Sequence, residues 1–187
     1  LSSVGVIHID GNGVGSIMRD LVEAFKNTNN TLDKLTKPPY LRMLNPCGKM
    51  PPRCRSYSGK LPHFRSYSRK PSRFQWFVME VNYRLDGVVK AAVAAALKDL
   101  EDYAHGRSAP PVVPVLVGGD DLTVYVEGQF AIPFAESYVR HYEQLTGEDE
   151  LLSKLAVIAN APKQGPLTAS AGVAIVGRNF PFHIAYD

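Results

Sequence analysis

Five positions in this 187-residue chain are of a type and spacing that could do chemistry together: Asp10 and the turn Gly118-Gly119-Asp120-Asp121. Two adjacent carboxylates between apolar runs disfavour joint ionisation unless a cation neutralises them. A solvated turn is the plain alternative, since Gly and Asp are what turns prefer. Asp10 closes the run Val4-Gly5-Val6-Ile7-His8-Ile9, which is β-branched and apolar and reads as a buried strand. If that strand pairs with the hairpin bearing the turn, three oxygen donors converge, a set suited to Mg²⁺ or Mn²⁺. Two such ions can activate a ribose 3′-hydroxyl and stabilise a leaving pyrophosphate. The plainer reading of Asp10 is a helix N-cap.

Beside Asp10 stands a glycine-rich turn, Gly11-Asn12-Gly13-Val14-Gly15. Glycines permit close backbone approach, and amides opening a helix bind phosphates. Gly118 and Gly119 join this turn as expected nucleotide-binding backbone. The spacing is not that of the dinucleotide fingerprint, and Asp10 would repel a bare pyrophosphate unless metal lay between them. No Gly-Lys-Ser/Thr is present, which excludes a P-loop kinase or ATPase.

The elements that must position these residues follow from periodicity. After the first strand a helix is expected over 16–26, with Ile17, Leu21, Val22 and Phe25 on one face. A long helix over 74–104 carries Phe77, Val81, Leu85, Val88, Val89, Ala92, Ala96 and Leu100 at helical spacing. Pro110-Pro111 stops the chain after it. The runs 112–117 and 122–126 flank the four-residue turn as a hairpin. A helix over 132–144 buries Phe134, Tyr138 and Tyr142, a strand covers 167–176, and another helix begins near Pro181. This order predicts an α+β fold of ferredoxin-like type, with the antiparallel hairpin at the sheet centre and helices packed on one face.

Between the first two helices the pattern breaks. Residues 37–73 hold ten of the chain's 21 Lys and Arg, seven of its 14 prolines and no Asp or Glu. Arg-Ser-Tyr-Ser occurs there twice, at 55–58 and 65–68. We read 36–73 as a flexible basic insert. Its aromatic residues Tyr40, Tyr57, Phe64, Tyr67 and Phe74 among cations could touch RNA or DNA, and a solvated loop is the blander reading. The rest of the chain has 11 basic and 18 acidic residues, a net charge of −7. Cys47 and Cys54 are too few for a disulfide framework, and with His63 they match no standard zinc spacing. His8 reads as a core or interface residue; His105, His141 and His183 share no spacing, and Trp76 and Phe77 read as core. The absence of a long apolar run and of a signal pattern implies no membrane span and a cytoplasmic setting. Both ends read as cut from something longer.

Three runs carry a resemblance: Val-Ile-His-Ile-Asp-Gly-Asn-Gly at 6–13, Pro-Val-Leu-Val-Gly-Gly-Asp-Asp-Leu-Thr-Val-Tyr-Val at 114–126, and Thr-Ala-Ser-Ala-Gly-Val-Ala-Ile at 168–175. Together they resemble the second palm domain of the large type III CRISPR subunit and its free-standing relatives, over residues 4–26 and 76–187. The resemblance implies a single palm domain over 1–187 that joins ATP into cyclic or linear oligoadenylates as an antiviral signal. Asp10, Asp120 and Asp121 would be catalytic metal ligands for Mg²⁺ or Mn²⁺, and residues 11–15 the phosphate turn. Donor and acceptor nucleotides must face each other, so a homodimer or a second palm is expected. The third run also resembles GGDEF diguanylate cyclases, but Asp121 and Leu122 stand where that pattern has Glu and Phe. A catalytically silent palm that binds nucleotide or a partner, and a cyclase that prefers GTP, are the competing expectations.

Overall fold

The computed structural model describes residues 3–20, 73–103, 112–155 and 165–186. Strand β1 (Ser3–Gly11) leads through a tight turn into helix α1 (Val14–Arg19), and helix α2 (Arg73–Tyr103) follows. The hairpin of β2 (Val112–Gly118) and β3 (Asp121–Glu127) comes next. A 3₁₀ turn at Gly128–Phe130 then feeds helix α3 (Ala131–Glu148). A short helix α4 (Leu152–Leu155), strand β4 (Ala169–Gly177) and helix α5 (Phe182–Tyr186) complete the order. The chain is thus a mixed α+β fold built on one four-stranded antiparallel sheet, ordered β2-β3-β1-β4.

Register explains which residues enter the core. Paired residues on antiparallel strands share a face, and here Ile7 pairs with Val124 and Ile9 with Leu122. That face is sealed by α2 and α3, so Ile7, Ile9, Leu122 and Val124 are all fully buried. Helix α2 contributes the whole predicted stripe from Phe77 to Leu100, and α3 contributes Phe134, Tyr138 and Tyr142. Burying such a stripe against a sheet supplies most of a helix's stability, at about 25 cal/mol per Å² of apolar surface.

Two expectations need correction. The hairpin is not central: β3 is, but β2 is an edge strand, with Val113, Val115, Leu116 and Val117 exposed. A valine-rich run resembles an interior strand, yet Pro114 cannot donate to a ladder on both sides, and the register slips between Pro114 and Leu116. Nor do all helices share one face. Helix α5 lies on the other side of the sheet, where Tyr186 meets the half-buried His8 edge-on at 5.2 Å.

Polar clamps hold the helices. Arg84 bridges Glu80 and Asp149, at 2.7 Å to each, and the Glu80 side chain is only 1% exposed. Asp149 in turn accepts the backbone amides of Leu151 and Leu152, which starts α4. Asp99 of α2 accepts from Ser137, Arg140 and His141 of α3 through one carboxylate oxygen. Residues 36–72 of the basic insert, among them Cys47, Cys54 and His63, lie outside the described residues, as does His105, while Arg73 already belongs to α2.

Candidate metal centre

The site begins where β1 and β3 run out together. Ile9 and Leu122 are the last bridged pair, and one step beyond them Asp10 of β1 comes abreast of Asp121 of β3. Asp120 sits in the turn between β2 and β3, where Gly119 takes φ 62°. That left-handed conformation is readily adopted by glycine and lets two strands be joined by a two-residue loop. Oxygens of Asp10, Asp120 and Asp121 lie within 4.8 Å of one another, although Asp10 is about 110 positions from the others in sequence.

The turn after β1 is built for close approach at one position. A Cβ on Gly11 would stand 2.8 Å from Asp120 Cβ, 2.9 Å from Val14 Cγ2 and 3.1 Å from the Tyr142 hydroxyl, so only glycine fits. By contrast a Cβ on Gly15 or Gly118 would meet nothing within 4 Å. Asn12 anchors the turn to the start of β4: its amide donates to the Thr168 carbonyl at 2.8 Å and its side chain engages the Thr168 and Ser170 hydroxyls. Thr146 of α3 binds the carbonyl and amide of Leu167, which ties the same segment to α3. Gly13, with φ 78°, is the N-cap of α1. Asp10 is therefore not a cap, and its carboxylate belongs with the acidic trio.

Electrostatics follow from this crowding. Burial foremost, and then the Asp121 and Asp10 charges, push the Asp120 carboxyl above the usual carboxylate range. Asp121 is raised as well, chiefly by burial and by the Asp10 carboxyl beside it, with His8 partly opposing. Beneath the trio the rings of Phe134, Tyr138 and Tyr142 stack along α3 at 6.4 and 6.1 Å. The hydroxyls of Tyr138 and Tyr142 are buried without a hydrogen-bond partner. Three convergent carboxylates are an oxygen donor set of the kind that hard divalent cations take. Tyr138 and Tyr142 are in the core, as their helical spacing predicts. Their nearness to the Asp120 charge has no signal in the sequence, because only the packing of α3 on β1 creates it.

The other histidines fall away from the trio or serve structure. His8 Nδ1 is 3.0 Å from Thr123 Oγ1 and 3.4 Å from the Tyr186 hydroxyl. His141 belongs to the Asp99 clamp, and His183 is exposed on α5. Among the described residues no helix is long and apolar enough to cross a membrane. Comparison of the chain with protein-family models and with curated proteins returned no match.

Proposed function

We propose that this chain is a ferredoxin-like palm that acts as a metal-dependent nucleotidyltransferase, joining ATP through attack of a 3′-hydroxyl on an α-phosphate. The observation that carries this reading is the meeting of Asp10, Asp120 and Asp121 at the shared end of the two central strands. Asp10, Asp120 and Asp121 would hold Mg²⁺ or Mn²⁺, which when bound neutralises charge on the attacking and leaving oxygens. In the attack the 3′-hydroxyl gives its proton to solvent and its oxygen forms a new bond to the α-phosphorus, while the bond to the bridging oxygen breaks and pyrophosphate leaves with that electron pair. Asp120, half-buried and crowded by like charge, favours a cation over water as its neighbour. Gly11 keeps the backbone of the turn against Asp120, and Asn12 fixes that turn to β4. The Gly-rich turn is the expected triphosphate contact.

A donor site on one palm needs an acceptor opposite, so a homodimer or a second palm completes the reaction. The three-run resemblance to type III CRISPR palms supports ATP as substrate and oligoadenylate signalling in antiviral defence as the setting. The test is incubation of the protein with Mn²⁺ and each radiolabelled nucleoside triphosphate, followed by product separation. Oligoadenylate and pyrophosphate from ATP, lost in Asp10→Asn and Asp120→Asn, are the expected result. Binding without turnover would make the chain a nucleotide sensor, and a GTP product would make it a diguanylate cyclase.

A further inference from the structure

We propose that Tyr142 is a positioning residue for the acidic trio, its phenol donating a hydrogen bond to the Asp120 carboxylate when a divalent cation is held there. The inference rests on the reading of Asp10, Asp120 and Asp121 as a cation site and adds a residue to it. Its starting point is an anomaly. The Tyr142 hydroxyl is fully buried and has no hydrogen-bond partner. Buried polar groups are nearly always satisfied, and an exception calls for a missing partner.

The position of the hydroxyl says which partner. A Cβ at Gly11 would stand 3.1 Å from Tyr142 Oη and 2.8 Å from Asp120 Cβ, closer than ordinary contact. Phenol oxygen and aspartate side chain thus both crowd the same backbone atom, with no side chain between them. The ring cannot turn away to find water instead. It is stacked on Tyr138, which is stacked on Phe134, and one turn later Thr146 ties α3 to Leu167. A phenol carries its proton at neutral pH, so its O–H is available as a donor. Carboxylates that ligate metals are themselves held by hydrogen bonds, and losing such a bond weakens metal affinity by about 10-fold to 100-fold. An ionised Asp120, with one oxygen toward the cation, has the other available as acceptor. Tyr142 is assigned rather than Tyr138 because its oxygen is the one that meets the Gly11 position beside Asp120.

The experiment titrates the full chain with Mn²⁺ alone, following free Mn²⁺ by electron paramagnetic resonance, in wild type, Tyr142→Phe and Asp120→Asn. Thermal melts without metal run in parallel. Tyr142→Phe should keep or raise the metal-free melting temperature, because an orphaned hydroxyl is removed while the ring stays. Its Mn²⁺ dissociation constant should rise about tenfold, with an altered linewidth for bound Mn²⁺. Unchanged Mn²⁺ affinity in Tyr142→Phe, with wild type binding and Asp120→Asn not binding, overturns the assignment and leaves the cation site standing. A lowered metal-free melting temperature that accounts for the weaker binding overturns it too, since the role is then structural. No saturable binding by wild type, or equal binding by Asp120→Asn, removes the cation site and this inference with it.

Discussion

Replacing Asp120 by Asn should stabilise the protein without metal and abolish its stabilisation by metal. Asp120 has two like-charged neighbours, with oxygens of all three within 4.8 Å. The site is partly exposed, so the effective dielectric lies between the surface value of about 20 and that of water. At such separations each repulsion is then worth about 1 kcal/mol. Removing one charge relieves two repulsions, about 2 kcal/mol, which in a chain of this size raises the melting temperature by roughly 4–8 °C. The pH dependence carries the same signature. Asp120 is raised above its ordinary value of 3.8, so the native state binds its proton more tightly than the unfolded state does. Stability from this group is therefore fully present below pH 3.8 and is lost as pH rises through the raised native value. The variant should match wild type in acid and exceed it at neutral pH. With Mn²⁺ at a hundred times its dissociation constant, wild type should gain about 2.7 kcal/mol, and the variant nearly nothing. Scanning calorimetry at several pH values, with and without Mn²⁺, measures all three quantities. A variant that melts below wild type at neutral pH without metal, or that gains equally from Mn²⁺, would refute the reasoning.

Three further outcomes follow from the packing. Gly11→Ala should cost about 1–3 kcal/mol and disrupt Mn²⁺ binding, because its Cβ meets atoms on three sides; Gly15→Ala, with open space around it, should be neutral or stabilising by up to about 1 kcal/mol. Paired urea melts and Mn²⁺ titrations separate the two. Arg84→Met leaves the buried Glu80 carboxylate without its cation and should cost about 3–5 kcal/mol, much of it recovered by adding Glu80→Gln; calorimetry of the single and double variants checks this. Asp99→Ala should cost no more than about 1 kcal/mol, since Asp99 and its partner Arg140 are more than a third exposed. Hydrogen bonds from Ser137 and His141 lower the Asp99 carboxyl, so its contribution is present above pH 3.8 and fades as pH falls through the lowered native value. Urea midpoints for this variant and wild type should therefore converge in acid.

Much of this was legible in local pattern. Helical period alone identified the buried stripe of α2, and the four residues between two apolar runs identified the β2–β3 turn. The pairing of β1 with the hairpin, on which convergence of the three carboxylates depended, is present through β3. What local pattern could not supply was the neighbour of each strand edge. The apolar run of β2 looks interior, and only the insertion of β1 between β3 and β4 leaves it at the rim. Helix α4, four residues long, is too short to show a period, and its start depends on Asp149, itself held by Arg84. The steric demand at Gly11 was invisible for the same reason: its nearest neighbours Asp120 and Tyr142 are distant in sequence.

The place of β1 in the sheet has a consequence for how the protein must be assembled. Among the described strands the first in sequence is an inner one, yet both its partners, β3 and β4, lie more than a hundred residues downstream. Until residue 127 has emerged, neither of its native partners among the described strands is complete enough to cover an edge of Val4–Ile9. Such non-local pairing makes for slow folding and leaves an apolar strand open to wrong partners in the interval. The acidic trio, completed by the same late pairing, can exist only after the central strands have met. Its capture of a cation would then serve as a chemical report that the chain has closed.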